Sequence, residues 1–239
     1  METKYLLLSL IAATAGFILW YALSSSLRLP KTFQIQYDVN TSYFNRILRR
    51  RLAGFLIYGL LPWLLIFHWN VLGEVSLDDL LISFEWNARV TFWVLILIPV
   101  SMVYNWINAN KRHNQIEYPE IRVTIWTTRL LIVSALYWVL YLVALEFLFR
   151  GLVLQSIFLN TDDTWTAILI STGLYAMIHY FKDNRISVFC IPFGLITAYI
   201  TLDSGSLLPA ILVHVIGGLI NEWGAIAKHP EIKFQSTLY

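Results

Sequence analysis

The sequence is poor in charge: Asp, Glu, Lys and Arg make up 13% of its 239 residues. A soluble domain carries roughly 25%. So few charges cannot cover a water-facing surface, which excludes a soluble enzyme, a disordered tail and a nucleic-acid binder. A single cysteine, Cys190, excludes an internal disulfide framework and any multi-cysteine metal site. The sequence shows no Gly-rich phosphate loop, nucleotide fingerprint, Cys/His zinc spacing or internal repeat. A net charge of +2 is too nearly balanced to name a partner. The abundance is apolar: 58% of residues are hydrophobic, including 10 Trp, 13 Tyr and 14 Phe, and mean hydropathy is +0.63. The chain reads as an all-α, polytopic membrane protein.

A helical span needs roughly 20 mostly apolar residues to cross about 30 Å of hydrocarbon. Such runs lie at 5–23, 52–72, 90–107, 130–159, 165–181, 186–202 and 206–226, which predicts a bundle of about seven spans. The first has one Lys before it and lacks a small-residue cleavage site, so it reads as a retained helix. The fourth exceeds what a bilayer requires and predicts either strong tilt or a break into two helices. The whole reads as one membrane domain over 1–239. Residues 1–129 carry the N-terminal spans and basic loops, and 130–226 form a helical core.

Charge alternates from loop to loop. Arg28, Lys31, Arg46, Arg49, Arg50 and Arg51 precede the second run. The following loop is acidic, with Glu74, Asp78, Asp79 and Glu85 beside a lone Arg89. Lys111, Arg112, Arg122 and Arg129 come next, then Asp162 and Asp163, then Lys182 and Arg185, then Asp203, and finally Lys228 and Lys233. By the positive-inside rule the N-terminus is outside and the C-terminus cytoplasmic. The expected setting is a multi-pass protein of a plasma (inner) membrane, bacterial in type, with the lipid bilayer as its first partner. Arg46 to Arg51 suit an interfacial amphipathic helix, but the simpler reading is a topology signal.

Ionisable groups within spans cost at least about 2.5–3.5 kcal/mol and need a reason. The fourth run holds Glu146 and Arg150, four apart on one helical face and able to pair. The fifth holds His179; the seventh holds His214 and, seven residues later, Asn221. His68 and Asn70, beside Trp63 and Trp69, read as interfacial polarity. At about 1.5 Å per residue, Glu146, His179 and Asn221 reach one level from the outer loops, while His214 sits higher. A buried carboxylate with two imidazoles can position a water and take its proton, or can ligate zinc. The last four spans are expected to line a polar cavity with Glu146, Arg150, His179 and His214 facing inward.

Three segments then carry a likeness. They are Leu145-Glu146-Phe147-Leu148-Phe149-Arg150-Gly151, Tyr175-Ala176-Met177-Ile178-His179 and His214-Val215-Ile216-Gly217-Gly218. In this order they resemble the CPBP family, the CaaX-prenyl endoproteases and bacteriocin-processing proteins of glutamate type. The family pattern is Glu-Glu-x-x-x-Arg, then Phe-x-x-x-His, then His-x-x-x-Asn, on three membrane helices. The lead-in Gly205-Ser206-Leu207-Leu208-Pro209-Ala210 is also similar.

The resemblance implies metal-free peptide hydrolysis within the membrane, with no cofactor. It assigns catalytic work to Glu146, Arg150, His179 and His214. Two positions depart from the pattern. The first Glu falls on Leu145 and the Asn falls on Gly218. Leucine cannot accept a proton and glycine has no side-chain donor. Glu146, rotated by about 100° around the helix, and Asn221, two turns past His214, are the available replacements.

Two functions therefore stand. One is an intramembrane endopeptidase in which Glu146 and His179 activate water while His214 and Asn221 stabilise the oxyanion. The other is a catalytically silent relative that binds a membrane partner, peptide or lipidated tail in the same cavity. A transporter is disfavoured by the single carboxylate and the lack of an inverted repeat.

Overall fold

A computed structural model describes residues 2–25, 41–180 and 184–235 as a helical bundle. Arg28, Lys31 and Lys182 of the loop pattern lie outside these residues. Helix α1 (Glu2–Ser25) buries Tyr5, Ser9, Ala13, Phe17 and Trp20 and exposes Leu7, Ile11 and Ile18. The buried set recurs at helical spacing, so one stripe faces protein and the rest faces lipid. Helix α2 (Thr41–Gly54) runs on through π-helical Phe55–Leu60, the single turn α3 (Leu61–Trp63) and π-helical Leu64–His68.

Helix α4 (Ala88–Asn108) starts where the Asn87 side chain accepts the Val90 N–H at 2.9 Å. The short α5 (Arg112–Glu117) follows it. Strand β1 (Ile125–Thr127) leads into α6 (Thr128–Glu146), whose first turn is capped by the Thr127 hydroxyl. Beyond Glu146 the helix widens into a π-helical stretch, Phe147–Val153, then continues as α7 (Leu154–Thr161). Helices α8 (Thr164–Tyr180), α9 (Asn184–Ser204) and α10 (Leu208–Lys228) complete the bundle, and β2 (Lys233–Gln235) closes it.

Among the described residues, five of the seven expected runs are helices long and apolar enough to span: Glu2–Leu23, Phe44–His68, Ala88–Asn108, Thr128–Thr161 and Leu208–Lys228. The other two coincide with α8 and α9. Helix α8 has 17 residues, roughly 26 Å of rise, short of the bilayer core. In α9 the apolar stretch is Val188–Ser204. The fourth run is one rod of 34 residues. It runs on without interruption for roughly 50 Å, so the expected break into two helices is not seen.

Two devices set the site. Strand β1 pairs in parallel with β2, Ile125 opposite Lys233, which holds the start of α6 beside the end of α10. Along the other seam, α10 approaches α4 so closely that a Cβ on Gly217 would lie 2.4 Å from the Ser101 Oγ. A Cβ on Gly224 would lie 2.8 Å from that of Ala109. Glycine is what permits this contact.

Candidate active site

The site begins where α6 changes pitch. A π-helical turn frees carbonyls from the regular ladder, and such turns are frequent at functional sites. Here side chains from other helices take them. The Ser171 hydroxyl donates to the Phe149 carbonyl at 3.0 Å. The Tyr5 hydroxyl donates to the Gly151 carbonyl at 2.9 Å. The widened stretch is thus clamped from α8 and α1, and all of Phe147–Val153 is buried.

Glu146, the last residue of α6, and Arg150, on this clamped segment, are 0% and 1% exposed. Glu146 Oε2 lies 3.3 Å from Arg150 Nε. Glu146 Oε1 lies 2.5 Å from His214 Nδ1 on α10. The Arg150 Nη2 donates to the Thr197 hydroxyl at 2.5 Å, and that hydroxyl donates to the Phe193 carbonyl at 2.8 Å. The guanidinium carbon lies 4.2 Å from the centroid of the Tyr175 ring. Arg150 therefore pairs with Glu146 as its charge demanded. Its further contacts are the Thr197 hydroxyl and the face of the Tyr175 ring. With His214 neutral, the carboxylate and guanidinium cancel and the cluster carries no net charge.

Hydrogen-bond partners set the direction of each Nδ1 contact. An ionised carboxylate only accepts, so facing one His214 donates through Nδ1–H. His179 Nδ1 lies 2.9 Å from the Tyr175 carbonyl, also a pure acceptor, so Nδ1–H donates there. Tyr175 stands between the imidazoles, its ring centroid 4.7 Å from that of His179 and 6.3 Å from that of His214. Phe193 closes the wall at 4.8 Å from His214. Both histidines are partly buried, whereas Tyr175 is buried. Among the described residues no three His, Cys, Asp or Glu side chains converge as a metal site.

Depth counting along the helices put His214 above Glu146, yet they touch. Counting residues from the loop ends does not capture how the two helices are offset along one another. Asn221 does not join them. It lies seven residues past His214, roughly 10 Å along α10, buried, with its Oδ1 lacking a hydrogen-bond partner. Leu145 is 1% exposed. A Cβ on Gly218 would meet Leu142 Cδ1 at 2.9 Å and Trp138 Nε1 at 3.5 Å, so that position faces packed side chains of α6. The structure unites Glu146, Arg150 and His214, connects His179 through Tyr175, and leaves Asn221 apart.

Sequence reasoning missed Thr197 and Phe193, which sit in an apolar run with nothing to mark them. It also missed a second buried cluster near the far end of α6 and α10. There Arg51 donates to Glu120 Oε2 from Nε and Nη2 at 3.3 and 3.1 Å. It donates to the Ser134 carbonyl and hydroxyl from Nη1 at 3.0 and 2.9 Å. Its Nη2 reaches Glu222 at 3.4 Å, and its guanidinium stacks 4.3 Å from Trp138. This cluster ties α2, α6, α10 and the loop before β1 together.

Residues 124–220 match the family model described as Rce1-like, type II CAAX prenyl endopeptidase Rce1-like. The CPBP resemblance read from three short motifs thus holds over a continuous segment. The match contains Glu146, Arg150, His179 and His214 and ends one residue before Asn221. No curated protein and no solved structure matches the chain.

Proposed function

We propose, from the premise that residues 124–220 form an Rce1-like core of CPBP type, that the chain is an intramembrane endopeptidase. The observation that carries this reading is the 2.5 Å contact between His214 Nδ1 and Glu146 Oε1. A carboxylate behind one imidazole nitrogen holds the tautomer and stabilises the imidazolium that forms on proton uptake. Arg150 sets its positive charge beside the same carboxylate, its Nε 3.3 Å from Glu146 Oε2.

In this reading His214 Nε2 takes a proton from water as its oxygen attacks the scissile carbonyl. The tetrahedral intermediate collapses, the C–N bond breaks, and His214 returns the proton to the leaving amine. His179 Nε2 is the second acceptor that orients the water. Glu146, first read as the base together with His179, becomes the positioning group. Asn221, roughly 10 Å further along α10 than His214, is given no part in this reading. The donor missing at Gly218 limits the rate, since one oxyanion donor is worth about 10²–10³. The substrate class suggested by the family is a membrane-held peptide with a lipidated end, met by a multi-pass protein whose basic loops face the cytoplasm.

A second reading has its own support. Leu145 and Gly218 stand where the family pattern has an acid and an amide, and Leu142 and Trp138 fill the space beside Gly218. This favours a silent relative that binds the same peptide without cutting it.

The deciding experiment reconstitutes the protein in lipid with a fluorogenic, prenylated CaaX-type peptide. Cleavage by the parent, reduced at least 100-fold in both Glu146→Gln and His214→Ala, supports the peptidase. Peptide that crosslinks to the parent but stays uncut supports the silent relative.

A further inference from the structure

The seam between α4 and α10 carries a feature that the peptidase reading does not use. The two close glycine contacts, Gly217 against Ser101 and Gly224 against Ala109, draw the helices together on either side of Ile220. Ile220 becomes the floor of a groove whose walls are Met102, Val103, Trp106 and Ile107. All five are apolar, and the four on α4 are exposed. Helix α4 is the least buried of the long apolar helices, so the groove opens toward hydrocarbon.

One end of this groove is charged. Lys228, in the last turn of α10, places its Nζ 4.3 Å from the centroid of the Trp106 ring and donates to the Trp106 carbonyl at 2.5 Å. An ammonium has three donors, so two remain. Lys111 and Arg112 follow directly past the end of α4 and are exposed. The acids at this end are limited: Glu120 and Glu222 are engaged by Arg51, and Glu117 and Glu231 flank the cations in sequence. A Trp beside a snorkelling Lys marks the depth at which headgroups begin. Basic pockets between spans at that depth hold anionic headgroups.

We infer that the α4–α10 seam is a binding site for one anionic phospholipid. An acyl chain lies over Ile220 between Val103 and Trp106, and the phosphate meets Lys228 with Lys111 and Arg112. A neutral lipid satisfies the groove but not the cations. A second copy of the chain satisfies the groove only by bringing acids to the same end.

The test uses delipidated protein in a neutral detergent, with melting temperature and lipid stoichiometry read against added phosphatidylglycerol or phosphatidylcholine of identical chains. The parent should bind about one phosphatidylglycerol with at least tenfold preference over phosphatidylcholine, and melt higher with it. Lys228→Gln, combined with Lys111→Gln, should bind the two lipids equally. Val103→Trp should bind neither at this seam. Arg89→Gln, at the opposite end of α4, should keep the parent's preference. Equal stabilisation of the parent by both lipids overturns the inference. So does a phosphatidylglycerol preference that survives in the Lys228/Lys111 variant, or a dimer in the micelle whose groove accepts no lipid.

Discussion

His214 Nδ1 touches Glu146 Oε1 at 2.5 Å across 68 residues of chain, and Arg150 braces the same carboxylate from one turn along at 3.3 Å. One carboxylate thus faces a cation on its own helix and an imidazole on another. The parallel pairing of β1 with β2 sets α6 beside α10. The clamped π-helical stretch fixes which face Arg150 presents. The contact is a consequence of fold geometry as much as of the two residues.

Removing Arg150 should cost more stability than removing either histidine. Arg150→Ala leaves Glu146 fully buried with no cation, and breaking a buried pair typically costs about 3–5 kcal/mol. His179→Ala removes a neutral ring and leaves no orphan charge. Arg150→Lys should rescue only part of the loss, because an ammonium cannot reproduce the planar contact with Tyr175. Melting temperatures in detergent give the comparison. Arg150→Ala melting with the parent while His179→Ala collapses would remove the ion pair from the structural account.

Restoring the family residue at 218 should fail by itself. In Gly218→Asn the new Cβ would press on Leu142 Cδ1 at 2.9 Å, and Leu142 is only 2% exposed. Overpacking of this kind costs about 1–3 kcal/mol. Adding Leu142→Ala should recover part of that cost by opening the space. A Gly218→Asn single variant as stable as the parent, with the double variant less stable, would show that the packing there is loose.

How much of this was legible beforehand follows from the range of each interaction. The polar residues inside spans announced Glu146, Arg150, His179 and His214, because hydrocarbon makes each one an anomaly. The Glu146–Arg150 pair was legible too, being local to one helix. The Glu146–His214 contact was not, since it depends on how two helices far apart in sequence are offset along one another, which no count of residues supplies. The π-helical widening left no mark in the text. Arg51 was hidden in plain sight: beside Arg46, Arg49 and Arg50 it looks like one more topology signal, and only its tertiary partners distinguish it.

Acid should weaken the start of α8. Hydrogen bonds from the Thr166 hydroxyl and N–H, and from the Trp165 N–H, hold the Asp163 carboxyl below its ordinary value of 3.8 against a small opposing effect of burial. A depressed pKa in the folded state means that the unfolded chain takes up the proton first. The stabilisation is therefore complete above pH 3.8 and is lost as pH falls from there through the folded-state value. Asp163→Asn retains a capping residue of similar quality but does not titrate. The melting difference between parent and variant should hold steady down to about pH 4 and then shrink. A difference that stays constant to pH 2 would show that the caps carry no charge-dependent stability.

The last test separates the buried Arg51 from its exposed neighbours. Arg51 is 1% exposed and holds Glu120 and Glu222, which are 5% and 2% exposed. Arg51→Met leaves two buried carboxylates facing one another, so it should cost about 3–5 kcal/mol or more. Glu222→Gln alone should cost less, because Arg51 still has Glu120 and both Ser134 oxygens. In the Arg51→Met background, Glu222→Gln should be stabilising, since it removes one of two uncompensated charges. The cycle of these variants should show a coupling of roughly 0.5–3 kcal/mol. Arg49 is exposed on the same helix, and Arg49→Met should stay within about 0.5 kcal/mol of the parent. If both arginines served only as a topology signal, the two substitutions would shift the melting temperature alike and Glu222→Gln would add independently. That outcome would take Arg51 out of the core and return it to the basic surface.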